Sequence, residues 1–218
     1  MNKAVIFDLD GTLIDSIGGI VTAVNYTRKF YGLPPQASEL IESFIGNGAR
    51  KLMERSITAD NTDAVSAEDA FNTFNQYYSE HPFDDTFLYP GVKAGLAQLT
   101  ADHWTLAVVS NKPQPICEKI LWGLGIREFF DENIGSESDF PLKPDPTTLY
   151  YIMEKYQIDP DKCFVVGDNY TDLDFAANAG VKSVFCTWGF GRTGDNPATF
   201  TADDFAAVID AISGGNRL

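Results

Sequence analysis

Residues 4–15 of the chain read AVIFDLDGTLID, and the interpretation of the whole sequence starts from them. Residues 5–7 form a short apolar run of the β-branched and aromatic kind that fills a buried strand. Asp8 and Asp10 follow at once, two residues apart, so a continued strand points both carboxylates to the same side of its carboxyl end. In open α/β sheets, ligands bind at that end of the strands. The stretch therefore predicts a buried strand that delivers two acids to a ligand site.

These acids predict a metal ion. Two close carboxylates repel each other unless a cation lies between them, and Mg²⁺ prefers such oxygen ligands. Gly11 and Thr12 then supply a tight turn with exposed backbone N–H groups, which suits an anion. Asp8 to Thr12 therefore indicate a Mg²⁺ site that can also hold a phosphate. The alternative is an ordinary turn, since Asp-Gly is among the commonest turn dipeptides.

Composition argues against several classes of protein. The 218 residues suit one domain, or a core with one inserted subdomain, and carry a formal net charge of −15. This charge argues against nucleic acid and anionic membranes as partners. No signal-peptide pattern is seen, and no apolar run approaches the about 18 residues of a membrane span. The three cysteines fit no zinc pattern. We expect a cytoplasmic protein that is a monomer or a homodimer.

Helical spacing dominates the segment after Asp15. Apolar residues recur at helical intervals from Ile17 until Gly32 ends the first helix, and no convincing strand occurs before Thr86. Further helices are predicted over residues 38–44, 49–57 and 67–78. Residues 16–85 are therefore predicted to form an inserted α-helical cap subdomain.

From Val92 onward, helices and short apolar strands alternate, which predicts a parallel sheet with right-handed crossovers and helices on both faces. The predicted strands cover residues 105–109, 132–134, 163–166 and 183–186, and the predicted helices cover residues 92–99, 116–124, 147–156, 172–179 and 203–212. We therefore expect an α/β, Rossmann-like core made of residues 1–15 and 86–218.

Polar residues stand at the ends of these later strands and in one loop between them. Ser110 and Asn111 follow a strand and can donate hydrogen bonds to a phosphate, although both are also ordinary helix-cap or turn residues. Lys143 lies in a Lys-Pro-Asp-Pro loop that can fix its charge beside a phosphate, unless it is a surface lysine. Asp168 ends another strand and would complete a three-oxygen metal site. Asp172 lies one turn later on the same helical face, where it could also serve as a favourable N-terminal charge.

The order of these motifs resembles that of a known family. The sequence carries D-x-D-G-T at residues 8–12, Ser-Asn at 110–111, Lys-Pro at 143–144 and G-D-x-x-x-D at 167–172. This pattern resembles the haloacid dehalogenase-like superfamily, most of whose members are phosphatases. The resemblance implies that Asp8 is the nucleophile, which forms an aspartyl-phosphate, and that Asp10 is the general acid and base. It also implies that Asp168 ligates Mg²⁺ together with Asp8 and the backbone carbonyl of Asp10.

The same resemblance implies roles for the remaining motif residues. Ser110 binds the phosphate, Lys143 stabilises the charge around it, and Asp172 supports the metal shell. These roles agree with elementary chemistry, because covalent catalysis by a carboxylate divides a difficult displacement into two easier steps. A metal ion and a lysine then stabilise the charge on the phosphoryl group in transfer.

The cap contains one informative segment, IGNGARKL at residues 45–52. Gly46, Asn47 and Gly48 expose backbone N–H groups at the start of a predicted helix, and Arg50 follows in its first turn. They form a candidate substrate-binding site for an anion remote from the phosphate, unless this is a glycine-rich turn with solvated charges. The segment, together with SNKP at 110–113 and TWGFG at 187–191, resembles bacterial phosphoglycolate phosphatases.

The leading hypothesis is a Mg²⁺-dependent phosphatase that acts on a small phosphorylated metabolite, with 2-phosphoglycolate as the best candidate. A phosphosugar mutase or a pyrophosphatase of the same fold is an alternative, as is a non-catalytic member that only binds a metabolite. The presence of Asp8, Asp10, Lys143 and Asp168 together argues against the non-catalytic alternative. Asn169 stands where relatives more often carry Ser or Thr, which leaves the substrate assignment open.

Overall fold

The apolar run near the N-terminus forms a central strand of a parallel sheet. A computed structural model describes residues 2–58 and 65–214 of the chain. Its strands are β1 (Asn2–Phe7), β2 (Ile14–Asp15), β3 (Phe87–Leu88), β4 (Thr105–Pro113), β5 (Glu132–Ser136), β6 (Ile158–Gly167), β7 (Lys182–Cys186) and β8 (Phe200–Ala202). Its α-helices are α1 (Ile17–Phe30), α2 (Ser38–Glu42), α3 (Ala49–Thr58), α4 (Ala67–Glu80), α5 (Val92–Ala101), α6 (Gln114–Gly123), α7 (Thr147–Tyr156), α8 (Tyr170–Ala179) and α9 (Phe205–Gly214).

The main sheet has six strands in the order β5-β4-β1-β6-β7-β8, and all of its pairings are parallel. The predicted α/β, Rossmann-like class is therefore confirmed. Strand β1 lies between β4 and β6, with Phe7 paired to Val108 on one side and to Val166 on the other. Because parallel strands end at the same edge, this order brings the polar residues after β1, β4 and β6 together.

Alternate residues of β1 serve two different hydrophobic cores. Val5 and Phe7 pack on the face that carries α5, α6 and α9, and Phe7 stacks on Phe205 with ring centroids 5.9 Å apart. Ala4 and Ile6 pack on the opposite face, which carries α7 and α8. All four are almost fully buried. A strand that is buried on both faces reads as a continuous apolar run, and this is what made β1 visible in the sequence.

Helices α1 to α4 fill the segment between β2 and β3. Apolar side chains of α1, α3 and α4 meet in its interior, including Val24, Met53 and Phe74. The division into a core of residues 1–15 and 86–218 and a cap of residues 16–85 remains our proposal. The cap range includes residues 59–64, which lie outside the described part of the chain.

The structure differs from the sequence prediction at short strands and at element ends. Strands β2 and β3 pair antiparallel where the chain enters and leaves the helical segment, and β8 adds an edge to the main sheet. Segments of two or three residues show no usable periodicity, so none of the three was predicted. Strand β4 continues to Pro113 because polar site residues extend it beyond its apolar part. Helix α8 begins at Tyr170 rather than Asp172, and α9 begins at Phe205 rather than Asp203.

Within the described residues, no helix is both long and apolar enough to cross a lipid bilayer.

Candidate active site

The carboxyl ends of β1, β4 and β6 border a cavity of about 60 Å³. The helical segment covers the other side of this cavity. The core lines it with Asp8, Asp10, Ser110, Asn111, Lys112, Lys143 and Asp168, and the helical segment lines it with Ile20, Ile45, Gly46, Gly48, Ala49, Leu52, Phe74 and Tyr78. The structure therefore brings the four sequence motifs into one site, which lies between the sheet edge and the predicted cap.

Three carboxylates of the site converge closely enough to share one ion. Asp8, Asp168 and Asp172, which we call the acidic cluster, each offer an oxygen within 4.8 Å of the others. The side chain of Asp10 is not in this cluster, and the backbone carbonyl of Asp10 stays a predicted ligand. Asp172, expected only to support the metal shell, lies within the cluster itself. The sequence spacing placed Asp172 on the correct helical face but could not fix its distance from Asp8.

The acidic cluster fits a hard divalent cation in two respects. Asp8 Oδ1 is buried and its partner is the Lys143 ammonium at 2.8 Å, so this oxygen retains a second lone pair for a ligand. Glycines leave the space around the cluster clear, because a Cβ atom on Gly11 would lie 2.2 Å from Asp168 Oδ2 and one on Gly167 would lie 2.3 Å from Asp172 Cγ. Oxygen ligands in this number and arrangement suit Mg²⁺.

Burial makes it energetically costly for all three carboxylates of the acidic cluster to be ionised when no cation is bound. Burial raises the pKa of Asp168 well above its usual range, and the charges of Asp172 and Asp8 raise it further. Burial also raises the pKa of Asp172. The backbone N–H of Gly191 opposes the shift by donating to Asp168 Oδ2 at 2.7 Å. A bound cation would remove this penalty, because it favours the ionised forms.

Lys143 joins the acidic cluster from the Lys-Pro loop. Its Nζ lies 2.8 Å from Asp8 Oδ1 and donates to Asp172 Oδ1 at 2.7 Å, and its side chain is only 3% exposed. Burial lowers the pKa of Lys143, but the neighbouring carboxylates outweigh burial and leave it raised. The loop lysine is therefore a buried cation at the sheet edge and not a solvated surface residue.

Asn111 positions the backbone of Lys143. Its Oδ1 accepts from the Lys143 backbone N–H at 2.9 Å, and its Nδ2 donates to the Lys143 carbonyl at 3.1 Å. The same Nδ2 donates to the carbonyl of Gly46 at 3.0 Å. Asn111, predicted to bind substrate, lines the cavity, but its polar side-chain atoms form hydrogen bonds with this loop and with the helical segment.

Asp10 is bound by two groups that the sequence analysis did not assign to the site. Ser16 Oγ donates to Asp10 Oδ1 at 2.6 Å, and Lys112 Nζ donates to its two oxygens at 2.9 and 3.2 Å. Lys112 also donates to the hydroxyl of Tyr78 at 2.8 Å. Lys112 stands two residues after Ser110 in β4, and the pairing of β4 with β5 is irregular between Val109 and Pro113, so alternation along the strand does not assign its direction.

The remaining core residues predicted to bind substrate divide between the cavity and its support. Ser110 lines the cavity and is 5% exposed. Thr12 is fully buried, and its Oγ1 donates to Asp168 Oδ1 at 3.4 Å, so its side chain faces the acidic cluster. Gly11 adopts a φ of +79°, which few other residues tolerate. The Trp188 indole N–H donates to the Thr12 carbonyl at 3.2 Å and ties the 187–191 segment to this turn.

The glycine segment that precedes α3 reaches the site only in part. Gly46 and Gly48 line the cavity, whereas Asn47 donates from Nδ2 to the hydroxyl of Tyr170 at 2.8 Å. Arg50 does not line the cavity: it is exposed, forms an ion pair with Glu68, and lies over the ring of Phe71. The structure thus brings the two glycines to the site and directs Arg50 towards α4.

Comparison with known proteins identifies the family of this chain. A family model described as haloacid dehalogenase-like hydrolase matches residues 5–186. A phosphoglycolate phosphatase of Chromobacterium violaceum is 33% identical over 216 residues, which cover 98% of this chain and 97% of the relative. A phosphoglycolate phosphatase of Haemophilus influenzae is 34% identical over 220 residues, which cover 96% and 98%.

A solved structure gives the same result for the fold. The crystal structure of a predicted phosphoglycolate phosphatase from Haemophilus somnus superposes with a TM-score of 0.91 at 32% identity, and the match covers 96% of this chain and 97% of that one. The match extends over both the sheet and the helical segment. The chain is a phosphoric monoester hydrolase, and it belongs to the haloacid dehalogenase-like hydrolase family.

Proposed function

We propose that this enzyme is a Mg²⁺-dependent phosphatase that hydrolyses 2-phosphoglycolate to glycolate and phosphate through an aspartyl-phosphate. The observation that carries the chemistry is the position of Asp8, whose buried Oδ1 lies 2.8 Å from Lys143 Nζ and whose carboxylate lies close to the other two acids of the cluster. The substrate is proposed from the relatives, several of which are named phosphoglycolate phosphatases.

Asp8, Asp10 and Lys143 then have distinct tasks in the reaction. A carboxylate oxygen of Asp8 attacks phosphorus and forms the acyl-phosphate bond, while the bond between phosphorus and the ester oxygen breaks. Asp10 donates a proton to the departing alkoxide and then accepts one from the water that hydrolyses the intermediate. Mg²⁺ held by the acidic cluster would offset negative charge on the transferring phosphoryl group. Lys143 holds Asp8 in place and lies where it can stabilise the same charge.

The size and lining of the cavity support the proposal of a small substrate. Ile45, Leu52 and Phe74 form an apolar cover over the polar sheet edge. Such a cover excludes bulk water, which would otherwise screen the charges that stabilise the phosphoryl group. A cavity of about 60 Å³ suits a leaving group of a few atoms.

The experiment is phosphate release from a panel of 2-phosphoglycolate, other small phosphomonoesters and pyrophosphate, with Mg²⁺ or with excess chelator. We expect a strong preference for 2-phosphoglycolate, loss of activity with chelator, and loss in the Asp8→Asn variant. Asp159→Asn removes an acid remote from the site and serves as the matched control.

The possible results separate the hypotheses. Release from other esters alone would keep the chemistry and reject the substrate. Release from pyrophosphate alone would favour a pyrophosphatase. Interconversion of phosphosugars without net release would favour a mutase, and binding without turnover would favour a non-catalytic member. Size-exclusion chromatography with light scattering would decide between the monomer and the homodimer.

A further inference from the structure

We infer that Lys112 and Tyr78 form a carboxylate-binding subsite for the leaving-group half of the substrate. The inference rests on the proposed phosphatase function and narrows its substrate class to phosphomonoesters whose ester carbon carries a carboxylate. A cation and a hydroxyl donor placed together are the groups that recognise a carboxylate.

Charge is the first argument. Among the described residues that line the cavity, Lys112 and Lys143 are the two with permanent positive charge. Lys143 is bound between Asp8 and Asp172, so it belongs to the phosphoryl end of the site. Lys112 contacts one carboxylate, that of Asp10. Lys112 is therefore the cation in the cavity that remains for a second anionic group of the substrate.

Position is the second argument. Asp10 is the group proposed to protonate the leaving alkoxide, so it must lie beside the ester oxygen in the bound state. Lys112 Nζ lies 2.9 Å from Asp10 Oδ1 and therefore lies on the leaving-group side of the phosphorus atom. A carboxylate attached to the ester carbon is only two bonds from the ester oxygen, so it must lie close to Asp10, in the region that Lys112 occupies. The ammonium group thus stands where the second charge of 2-phosphoglycolate would lie.

Tyr78 supplies the second donor from the helical segment. Its oxygen accepts from Lys112 at 2.8 Å, so its own proton is available to a ligand. The ring lies near the same ammonium, with 4.4 Å between Nζ and the ring centroid. Burial raises the pKa of Tyr78, which keeps the hydroxyl protonated as a donor. Tyr78 belongs to α4, so the subsite is complete only when that helix covers the core.

The other described residues of the cover offer no alternative partner for a substrate carboxylate, which supports its recognition by Lys112 and Tyr78. Ile20, Leu52 and Phe74 offer no hydrogen bond, and Arg50 lies outside the cavity in an ion pair with Glu68. A carboxylate placed under this apolar cover would be desolvated, which is costly unless a charged partner is present. Lys112 provides that partner, and the apolar surroundings strengthen the attraction.

The test compares two substrates that differ only in the proposed contact. 2-Phosphoglycolate carries the carboxylate, and 2-hydroxyethyl phosphate carries a neutral hydroxymethyl group in its place. The measured quantity is the ratio of their kcat/KM values. Any damage to Asp10 in a Lys112 variant affects both substrates, so the ratio isolates the contact with the carboxylate.

We expect Lys112→Met to lower this ratio by about 10- to 100-fold, since hydrogen bonds to charged groups carry energies of that order. Tyr78→Phe should lower it less, and Lys112→Arg should restore part of it. The matched control is Lys119→Met, because the exposed Lys119 also links the core to the helical segment, by donating to the Ser79 carbonyl at 2.8 Å, but lies outside the cavity lining. This control should leave the ratio unchanged.

Three results would overturn the inference. An equal loss for both substrates in Lys112→Met would show that Lys112 only organises Asp10. A wild-type enzyme that cleaves both esters without preference would remove the subsite while leaving the phosphatase intact. If Lys112→Met does not fold, an unchanged ratio in Tyr78→Phe would reject it.

A binding measurement separates this inference from the proposed function. Calorimetric titration of the two compounds into Asp8→Asn, with Mg²⁺ present, reports recognition without turnover. If no ester is hydrolysed, the proposed function fails. Preferential binding of 2-phosphoglycolate that disappears in Asp8→Asn/Lys112→Met would still support the subsite, and equal binding of the two compounds would reject it.

Discussion

Replacing Lys143 by methionine gives a quantitative test of the acidic cluster. The variant removes the ammonium group and keeps a flexible apolar side chain of similar length. Lys143 is 3% exposed and its Nζ lies within 2.8 Å of both Asp8 and Asp172. Removing one partner of a buried ion pair leaves an uncompensated charge, which costs about 3–5 kcal/mol. Two carboxylates lose their partner here, so we expect a loss of stability within or above this range without metal.

The magnitude translates into a measurable shift of the melting temperature. For a chain of this length, 1 kcal/mol corresponds to about 2–4 °C, so a loss of 3–5 kcal/mol lowers Tm by about 6–20 °C. Mg²⁺ should reduce the loss, because an ion among the three acids replaces the missing positive charge. The enzyme should nevertheless stay impaired, with kcat lower by about 100-fold, since the charge near the phosphoryl group is lost.

The assay is urea and thermal unfolding of both proteins with chelator and with saturating Mg²⁺. Lys162→Met is the control, because Lys162 is 47% exposed and lies 3.9 Å from Asp159, an arrangement worth about 0–1 kcal/mol. A loss below about 1 kcal/mol for Lys143→Met in chelator would refute the reasoning, since it would match a surface pair. An equal loss with and without Mg²⁺ would show that the ion and the ammonium group do not act on the same carboxylates.

Three further predictions concern the metal site and the segment that covers it. The raised pKa values of Asp168 and Asp172 mean that the folded state holds their protons more tightly than the unfolded state, so metal-free stability should fall as the pH rises above about 4. Mg²⁺ should therefore raise Tm more at about pH 7.5 than at about pH 5, which thermal scans with and without Mg²⁺ would measure. Gly46→Ala should lower both stability and kcat/KM, because φ is +113° and the new Cβ would lie 2.8 Å from Asn169 Nδ2; Gly32→Ala, with φ of +71° and no neighbour within 4 Å, should lower stability alone. Asn111→Ala should lower kcat about 10- to 100-fold in steady-state assays while leaving the overall fold intact by circular dichroism, because it releases the Lys143 loop.

The fold was predictable because its strongest elements have strong local signals. A strand buried on both faces reads as an apolar run, and helices between such runs imply parallel pairing. The order of strands around β1 is harder to predict, since strand pairing depends on contacts between residues that are distant in the sequence. The acids and hydroxyls after β1, β4 and β6 nevertheless implied that these strands are neighbours, because one site requires their ends to meet.

The sequence places a side chain near the cavity most directly where the backbone alone fixes its position. Asp8 and Asp168 directly follow strands, so their positions depend on the strand ends and on little else. Arg50 was a weaker prediction, because the phase of α3 decides which side chains face the cavity. That phase turns Ala49 and Leu52 inward and leaves Arg50 beside Glu68. A charge next to a glycine-rich turn does not reveal this phase.

Lys112 was missed for a related reason. The apolar part of β4 ends at Val109, so the predicted strand ends there, although the strand pairing of β4 continues to Pro113. The pairing is irregular between Val109 and Pro113, and Ser110, Asn111 and Lys112 all line the cavity. Alternation along a regular strand therefore does not reveal the direction of Lys112. Polar functional residues at the end of a strand interrupt its apolar pattern. The sequence then predicts a strand that is shorter than the real one.

The charges of the site explain how a protein with a net charge of −15 can bind an anionic substrate. Among the described residues, the acidic cluster and Asp10 provide four carboxylates, and Lys112 and Lys143 provide two ammonium groups. One divalent cation cancels the remaining two negative charges, so the site approaches neutrality only with metal bound. Without the metal and with these carboxylates ionised, a phosphate dianion would meet a net negative site in a region of low dielectric constant, where repulsion is strong. We therefore expect Mg²⁺ to bind before the substrate, and substrate affinity in the absence of metal to be weak for an electrostatic reason that no rearrangement of the cover can remove.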